Sequence, residues 1–310
     1  MTCEGIYDLI IVGGGPGGLT AGIYAMRAAL KAVLVEMGAP GGQVNLSDSV
    51  ENWPGEEHIG GAELSMKMYS HAQSYGLEIR SDEVVAIEPG LDLHTVRLAG
   101  GACLQGHAVI LATGGNPRQL EIPGEKENYG KGVSYCGTCD APFYRNMHVA
   151  VIGGGNTAIQ EAEYLTKFAS RVTVIHRREQ LRATRIIQET AFANSRIDFI
   201  WNSRVTSIAG TTGVERLNLV DNSGRTSTLD VEGVFVLIGV TPNNACLPLD
   251  LLQADKWGFI PTDVETCTAV AGVMAAGDIR SKAVRQIVNA AGEGATAVLA
   301  AEAYLQSLKR

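Results

Sequence analysis

Asp8 to Glu36 reads DLIIVGGGPGGLTAGIYAMRAALKAVLVE, and this stretch decides the fold. It opens with an apolar, isoleucine- and valine-rich run, Asp8 to Val12, of the kind that forms a buried strand. Gly13, Gly15 and Gly18 follow, then an alanine-rich stretch from Leu19 to Ala29 with helical character. A second apolar run, Ala32 to Val35, closes on Glu36. Strand, glycine turn, helix and strand make a βαβ unit. A glycine turn at a helix N-terminus lets the backbone approach a pyrophosphate, whose charge is favoured by unpaired N–H groups and the helix dipole. An acid closing the second strand then bonds the ribose hydroxyls. Gly13, Gly15, Gly18 and Glu36 stand in that order, which predicts a dinucleotide site.

The same grammar recurs. Val149 to Ile152 lead into Gly153, Gly155 and Ala158, a helix is expected from about Thr157 to Phe168, and a strand from Val172 to Ile175 ends at His176. Glu36 follows Gly13 by 23 positions, and His176 follows Gly153 by the same 23. Here His176 fills the position that Glu36 holds in the first unit, and Arg177, Arg178 and Arg182 follow it. An acid would repel a 2′-phosphate, whereas forked guanidinium donors suit one. A solvated basic strand end is the other reading, and the matched offset favours the phosphate. The two units look tuned for different dinucleotides, FAD for the first and NADPH for the second.

Further buried-strand patterns stopped by glycine lie at Ala108 to Ala112, Val234 to Ile238 and Val273 to Ala276. Proline-bearing stretches, NPRQLEIPG at Asn116 to Gly124 and TPNN at Thr241 to Asn244, bracket the second unit. The expected architecture is α/β, with two Rossmann-like nucleotide-binding domains and the second inserted into a discontinuous first. Its boundaries are 1–117 and 247–310 for the FAD domain and 118–246 for the NADPH domain, with a final helix over roughly Gln286 to Leu308. The length of 310 residues accommodates two domains of ordinary size. With 45% hydrophobic and 19% charged residues the chain is a packed globular one, and its net charge of −8 argues against a nucleic-acid partner. No apolar run approaches the roughly 18 residues of a membrane span, and Glu4 and Asp8 stand where a signal peptide needs a basic start and apolar core. The expectation is a soluble, cytoplasmic protein without a membrane partner.

Six cysteines in 310 residues form no disulfide framework. Cys3, Cys103, Cys246 and Cys267 are read as small buried hydrophobes. Cys136-Gly-Thr-Cys139 is the one close pair. Half a zinc site is one reading, but no second CxxC or HxxxH accompanies it, so no metal is expected and redox use is favoured. Asp140 follows at once. It either supplies a proton to thiol chemistry or caps the short turn that begins near Ala141-Pro142.

Taken together, IIVGGGPGGLTAGIYAMRA, GGQ, ENWPG, ATGGNPR, CGTCDAPFY, GGGNTAIQEA, HRREQLRA, GVFVLIGVTPN and AAGDIR make the chain resemble the low-molecular-weight, bacterial-type thioredoxin reductases over essentially its whole length. The resemblance implies that Gly13, Gly14, Gly15, Pro16, Gly18, Glu36, Gly41, Gly42, Gln43, Asn52 and Thr113 contact FAD. Gly277 and Asp278 would lie by its ribityl and pyrophosphate portion, with Arg285, Gln286 and Ile287 near the flavin. Gly153, Gly155, Asn156, Thr157, Ala158, His176, Arg177, Arg178 and Arg182 would hold NADPH. Val284 and Ile287 stand where the family usually shows a tyrosine and an alanine. Ala141-Pro142-Phe143 replaces a frequent Gly-Phe-Phe.

The implied activity is thioredoxin-disulfide reduction. Electrons pass from NADPH through FAD to the Cys136–Cys139 disulfide and on to thioredoxin, with Cys139 against the flavin, Cys136 attacking the partner and Asp140 protonating the leaving thiolate. Disulfide and nucleotide would share the inserted domain, which must then rotate. A homodimer is implied as well. A flavin-dependent dithiol oxidase is the alternative within flavoenzymes, although Asp140 and the HRR cluster favour the reductase. A peroxiredoxin-reducing flavoprotein would need an N-terminal redox module, and a related ferredoxin reductase would lack the CxxC. A nucleotide-sensing module would explain both glycine turns but not Cys136 and Cys139.

Overall fold

In a computed structural model, residues 3–47 and 49–309 are described. The chain divides into two compact units, 1–116 with 241–310, and 117–240.

The first unit opens with β1 (Ile6–Val12), α1 (Pro16–Arg27), β2 (Ala32–Glu36), α2 (Gly61–Ser74), β3 (Glu78–Ser81), β4 (Val84–Glu88), β5 (His94–Leu98), β6 (Cys103–Leu111) and β7 (Gly115–Pro117). The second holds β8 (Val133–Ser134), the short helix α3 (Gly137–Asp140), β9 (His148–Ile152), α4 (Asn156–Leu165), β10 (Arg171–Ile175), α5 (Arg185–Ala193), β11 (Ile197–Ile200), β12 (Ser203–Ala209), β13 (Arg216–Asp221), β14 (Thr226–Asp230) and β15 (Gly233–Val236). After β16 (Val240–Pro242) the chain completes the first unit with β17 (Val273–Ala275) and α6 (Ile287–Leu308).

The first unit is built on a seven-stranded sheet, six strands in the order β3-β2-β1-β6-β5-β4 with β17 added alongside β6. β6 is shared: its Cys103–Gly106 half pairs antiparallel with β5, and its Val109–Leu111 half pairs parallel with β17. Both faces of the central strands are covered. Leu9, Ile11, Leu34 and Ile110 pack with helices α1, α2 and α6, while Ile10, Val12, Val33 and Leu111 fill a second core on the other face. Burial on both faces is why the sequence shows an unbroken apolar run here instead of alternation. Helices α1 and α6 meet through Gly294, where a Cβ would fall 2.1 Å from the Gly17 carbonyl oxygen. The second unit carries an all-parallel sheet, β11-β10-β9-β15-β8, and an antiparallel one, β12-β13-β14.

Cys3 and Cys103 are not isolated hydrophobes, which corrects the reading of them from sequence: they are disulfide-bonded, with Cα atoms 4.7 Å apart. The cause is the parallel register of β1 on β6, continued by the Glu4 N–H donating to the Cys103 carbonyl at 2.9 Å. Cys246 and Cys267 remain free and half-buried. The Cys3–Cys103 bond closes a loop of sequence separation 100. Such a crosslink stabilises by about 2–4 kcal/mol, mainly through the unfolded chain. Cys3→Ser should therefore lower the thermal midpoint of the oxidised protein by several degrees. A reductant should bring the unmutated protein down to the level of the equally reduced variant.

Candidate active site

Register places the first glycine turn. Val12 pairs with both Val35 and Leu111, so the chain leaving β1 enters the gap between Glu36 and Ala112-Thr113. At Gly13, φ is +104° and a Cβ would lie 2.4 Å from the Ala112 carbonyl oxygen, while at Gly18 it would lie 1.8 Å from that of Gly13. Only glycine fits either position. At Gly15, by contrast, an added Cβ meets nothing within 4 Å. That residue is the N-cap of α1, with no capping side chain and with Pro16 at the first turn, so no side chain covers the first amides of the helix. The Glu36 carboxylate accepts from the N–H of Gly14 at 2.6 Å and of Gly38 at 2.8 Å. It thereby fixes the turn that it would share with a ribose.

The other residues expected around a flavin nucleotide converge on the same unit. Gly41 donates its N–H to the Gly14 carbonyl at 2.7 Å and holds φ at +116°, where a Cβ would strike Ser65. Gln43 donates to Asn116 (2.6 Å), which donates to Asn243 (3.1 Å), and Asn52 donates to Gln286 at 3.2 Å. Gln286 stands at the N-cap position of α6, which begins at Ile287. Buried polar atoms without a hydrogen-bond partner include Thr113 Oγ1 and Arg285 Nε, and Asp278 Oδ1 has only the Lys282 ammonium nearby. A cradle that a Cβ would fill, together with orphaned donors and acceptors, fits a bound dinucleotide with a polyhydroxyl linker.

Beneath Asp278 lies a cluster that sequence reasoning missed. Glu293 of α6 is 8% exposed; it accepts from the Gly277 N–H at 2.7 Å and pairs with Arg280 at 2.8 Å and Lys282 at 2.9 Å. Lys282 Nζ also stands 3.6 Å from Asp278. Burial pushes the Asp278 carboxyl up against the pull of Lys282 and Arg285. The only sequence signal was a glutamate at 293 among small and apolar residues.

The second turn is built the same way. Ile152 pairs with Ile175 and Val236, setting Gly153 between His176 and Leu237. A Cβ on Gly153 would lie 2.5 Å from the Leu237 carbonyl oxygen, whereas one on Gly155 would meet nothing within 4 Å. Asn156 and Thr157 open α4, and Ala158 is fully buried against the turn. The basic loop folds back over it: Arg182 donates its N–H to the Gly154 carbonyl at 2.7 Å, and Asn156 Oδ1 accepts from Thr184 at 2.8 Å. Arg177, Arg178 and Arg182 are exposed. His176 is not. It is 5% exposed, its ring lies where a Gly154 Cβ would be 2.3 Å from Cε1, and burial holds its pKa below the ordinary imidazole value. The arginines face solvent beside the turn, and His176 packs beneath it.

Cys136, just before α3, and Cys139, within it, form a disulfide. Cys136 is the N-cap, its Sγ accepting from the Cys139 N–H at 3.2 Å. Asp140 makes no capping hydrogen bond to the turn Ala141–Tyr144. Its carboxylate accepts from the Ser134 hydroxyl at 2.6 Å, and burial raises its pKa against that bond. Ser134 also accepts from the Cys136 N–H at 3.0 Å, linking carboxyl and cysteine through one hydroxyl. Among the described residues no group of His, Cys, Asp and Glu could hold a metal ion.

Residues 7–294 match the pyridine nucleotide-disulphide oxidoreductase family. A thioredoxin reductase of Listeria monocytogenes is 43% identical over 310 residues, covering 99% of this chain and 96% of its own. The chain belongs to this family, among the thioredoxin reductases. A Bacillus subtilis thioredoxin reductase is 42% identical over 312 residues, covering 100% of this chain and 98% of its own. The crystal structure of a Streptococcus pyogenes thioredoxin reductase superposes with a TM-score of 0.92 at 43% identity, covering 97% of this chain and 99% of that one. One from Giardia duodenalis gives 0.94 at 34%, covering 98% and 100%. The family's two-domain α/β architecture is the one observed here, and no described helix is long and apolar enough to cross a membrane.

Proposed function

We propose that the protein is a thioredoxin-disulfide reductase, drawing electrons from NADPH through FAD and the Cys136–Cys139 disulfide to thioredoxin or a thioredoxin-like protein. The observation that carries this reading is the pair itself, a disulfide in the same unit as a glycine turn flanked by three exposed arginines. The unit expected over 1–117 and 247–310 is assigned to FAD and the one expected over 118–246 to NADPH, with 241–246 falling in the first unit. Gly13 to Gly18, Glu36, Gly41 to Gln43, Asn52, Thr113, Asp278 and Arg285 to Ile287 would hold FAD, which supplies a relay between hydride transfer and disulfide reduction. The names of the relatives support the partner, and the family resemblance supports a cytoplasmic homodimer.

In the thiol half of the reaction the Cys136 thiolate attacks one sulfur of the partner's disulfide. That S–S bond breaks, and the departing thiolate takes a proton from Asp140. Cys139 then attacks Cys136 in the mixed disulfide, so the Cys136–Cys139 bond re-forms and the second partner thiol is released. Asp140 suits the donor role because burial favours its protonated form.

Nucleotide choice tests the assignment of the second turn. Hydrogen bonds to a charged group contribute about 1.5–3 kcal/mol. Arg177→Ala should therefore raise KM for NADPH at least several-fold while NADH kinetics barely change. Equal losses with both nucleotides, or none with either, would show that the cluster does not read a 2′-phosphate.

A further inference from the structure

A second carboxylate borders the redox turn. Glu161 belongs to α4, the helix that starts at the second glycine turn, and its Oε2 accepts the N–H of Gly137, the amide directly after Cys136. This approach requires the absence of a side chain at 137. A Cβ there would lie 2.7 Å from Glu161 Oε2 and 3.1 Å from Glu161 Cβ. Glycine between the cysteines and glutamate on α4 are thus one construction.

Its consequence follows from thiol chemistry. A thiolate opening a helical turn is stabilised by the amides around it and destabilised by nearby negative charge. Cys136 Sγ retains the Cys139 N–H, but the Gly137 N–H is committed to the Glu161 carboxylate. That carboxylate also sits one peptide away from Cys136. The other titratable groups here are Asp140, held by Ser134, and Tyr144, which burial and Asp140 push up to about 12. Neither competes for the Gly137 amide.

We propose that Glu161 is a positioning residue that sets the reducing strength of the Cys136–Cys139 pair. By withdrawing a donor and adding negative charge, it disfavours the Cys136 thiolate and so destabilises the reduced pair relative to the disulfide. A dithiol that is harder to form is the stronger reductant once formed, the reverse of pairs made oxidising by a stabilised reduced form. The inference rests on the functional reading above only in treating these cysteines as a redox couple.

The test is equilibration of FAD-loaded protein with glutathione buffers at pH 8. Trapping by alkylation and mass analysis of the peptide bearing both cysteines then gives the disulfide fraction. In this equilibrium the Cys136–Cys139 bond breaks, two glutathione thiols join as glutathione disulfide, and their protons end on Cys139 and on Cys136 or, for the fraction of Cys136 that is thiolate, in the buffer. Glu161→Gln removes the charge yet leaves an oxygen to accept the Gly137 N–H. It should shift the equilibrium toward the dithiol about tenfold, raising the potential by about 30 mV. Gly137→Ala pushes the carboxylate off the amide and should shift it the same way, by about threefold or more, which covers the case that Glu161→Gln does not fold. Equilibria within twofold of the unmutated protein for the folded variants, or a shift toward the disulfide, would overturn the proposal. Thioredoxin turnover takes no part in the measurement, so an enzyme inactive toward thioredoxin would refute the functional reading without touching this one.

Discussion

Cys136→Ser and Cys139→Ser should each abolish thioredoxin turnover while FAD stays bound and is still bleached by NADPH. Neither thiol contributes to a glycine turn: the atoms that shape the first turn belong to Gly13, Gly18, Glu36 and Gly41, all in the other unit. The two variants should differ in what remains. With Cys139 replaced, Cys136 retains the helix-capping position and should trap the partner as a stable mixed disulfide, because the resolving thiol is gone. With Cys136 replaced, no such adduct should form. Absorbance at the flavin band and non-reducing electrophoresis with a thioredoxin follow both outcomes. Substantial disulfide reduction by both variants would remove the pair from the mechanism.

Asp140→Asn should fold, bind FAD and accept hydride from NADPH, yet reduce thioredoxin about 10-fold or more slowly, the scale of a lost general acid. Asparagine preserves an oxygen to accept from Ser134, so the turn is expected to keep its shape. The pH profile gives the sign. Burial raises the Asp140 pKa, so the acid stays protonated to higher pH than an exposed aspartate and its contribution to the rate fades as pH rises through that value. In the variant this limb should be missing. Unchanged turnover across the pH range would leave Asp140 without a role in the chemistry.

Much of the fold was legible because βαβ units advertise themselves locally. The apolar run before Gly13 is continuous, since both sheet faces are buried, and Gly13, Gly18 and Gly153 sit where any side chain would overlap a carbonyl. The equal 23-residue offsets brought Glu36 and His176 to matching places, and both do lie against their glycine turns. Spacing alone does not separate an exposed site residue from one packed beneath the turn, and His176 is buried while its arginine neighbours are not. Asp140 carried two readings in sequence, and its bond to Ser134 instead of the following turn is tertiary information.

Long-range pairings stayed hidden for the same reason. Cys3 and Cys103 are joined by strand register across a separation of 100 residues, which no local pattern reports. Glu161 reads as an ordinary helical glutamate until α4 is packed on the redox turn, and Glu293 as a polar interruption of the last helix until Arg280 and Lys282 are folded onto it.

The most direct test of the account is to add one equivalent of NADPH to the FAD-loaded protein without oxygen, quench with an alkylating reagent and map the labelled cysteines. Electrons delivered through the flavin should open the Cys136–Cys139 disulfide, so both sulfurs should become labelled only when NADPH is present, while labelling at Cys3, Cys103, Cys246 and Cys267 stays as it was. A flavin that is bleached while Cys136 and Cys139 remain joined would contradict it.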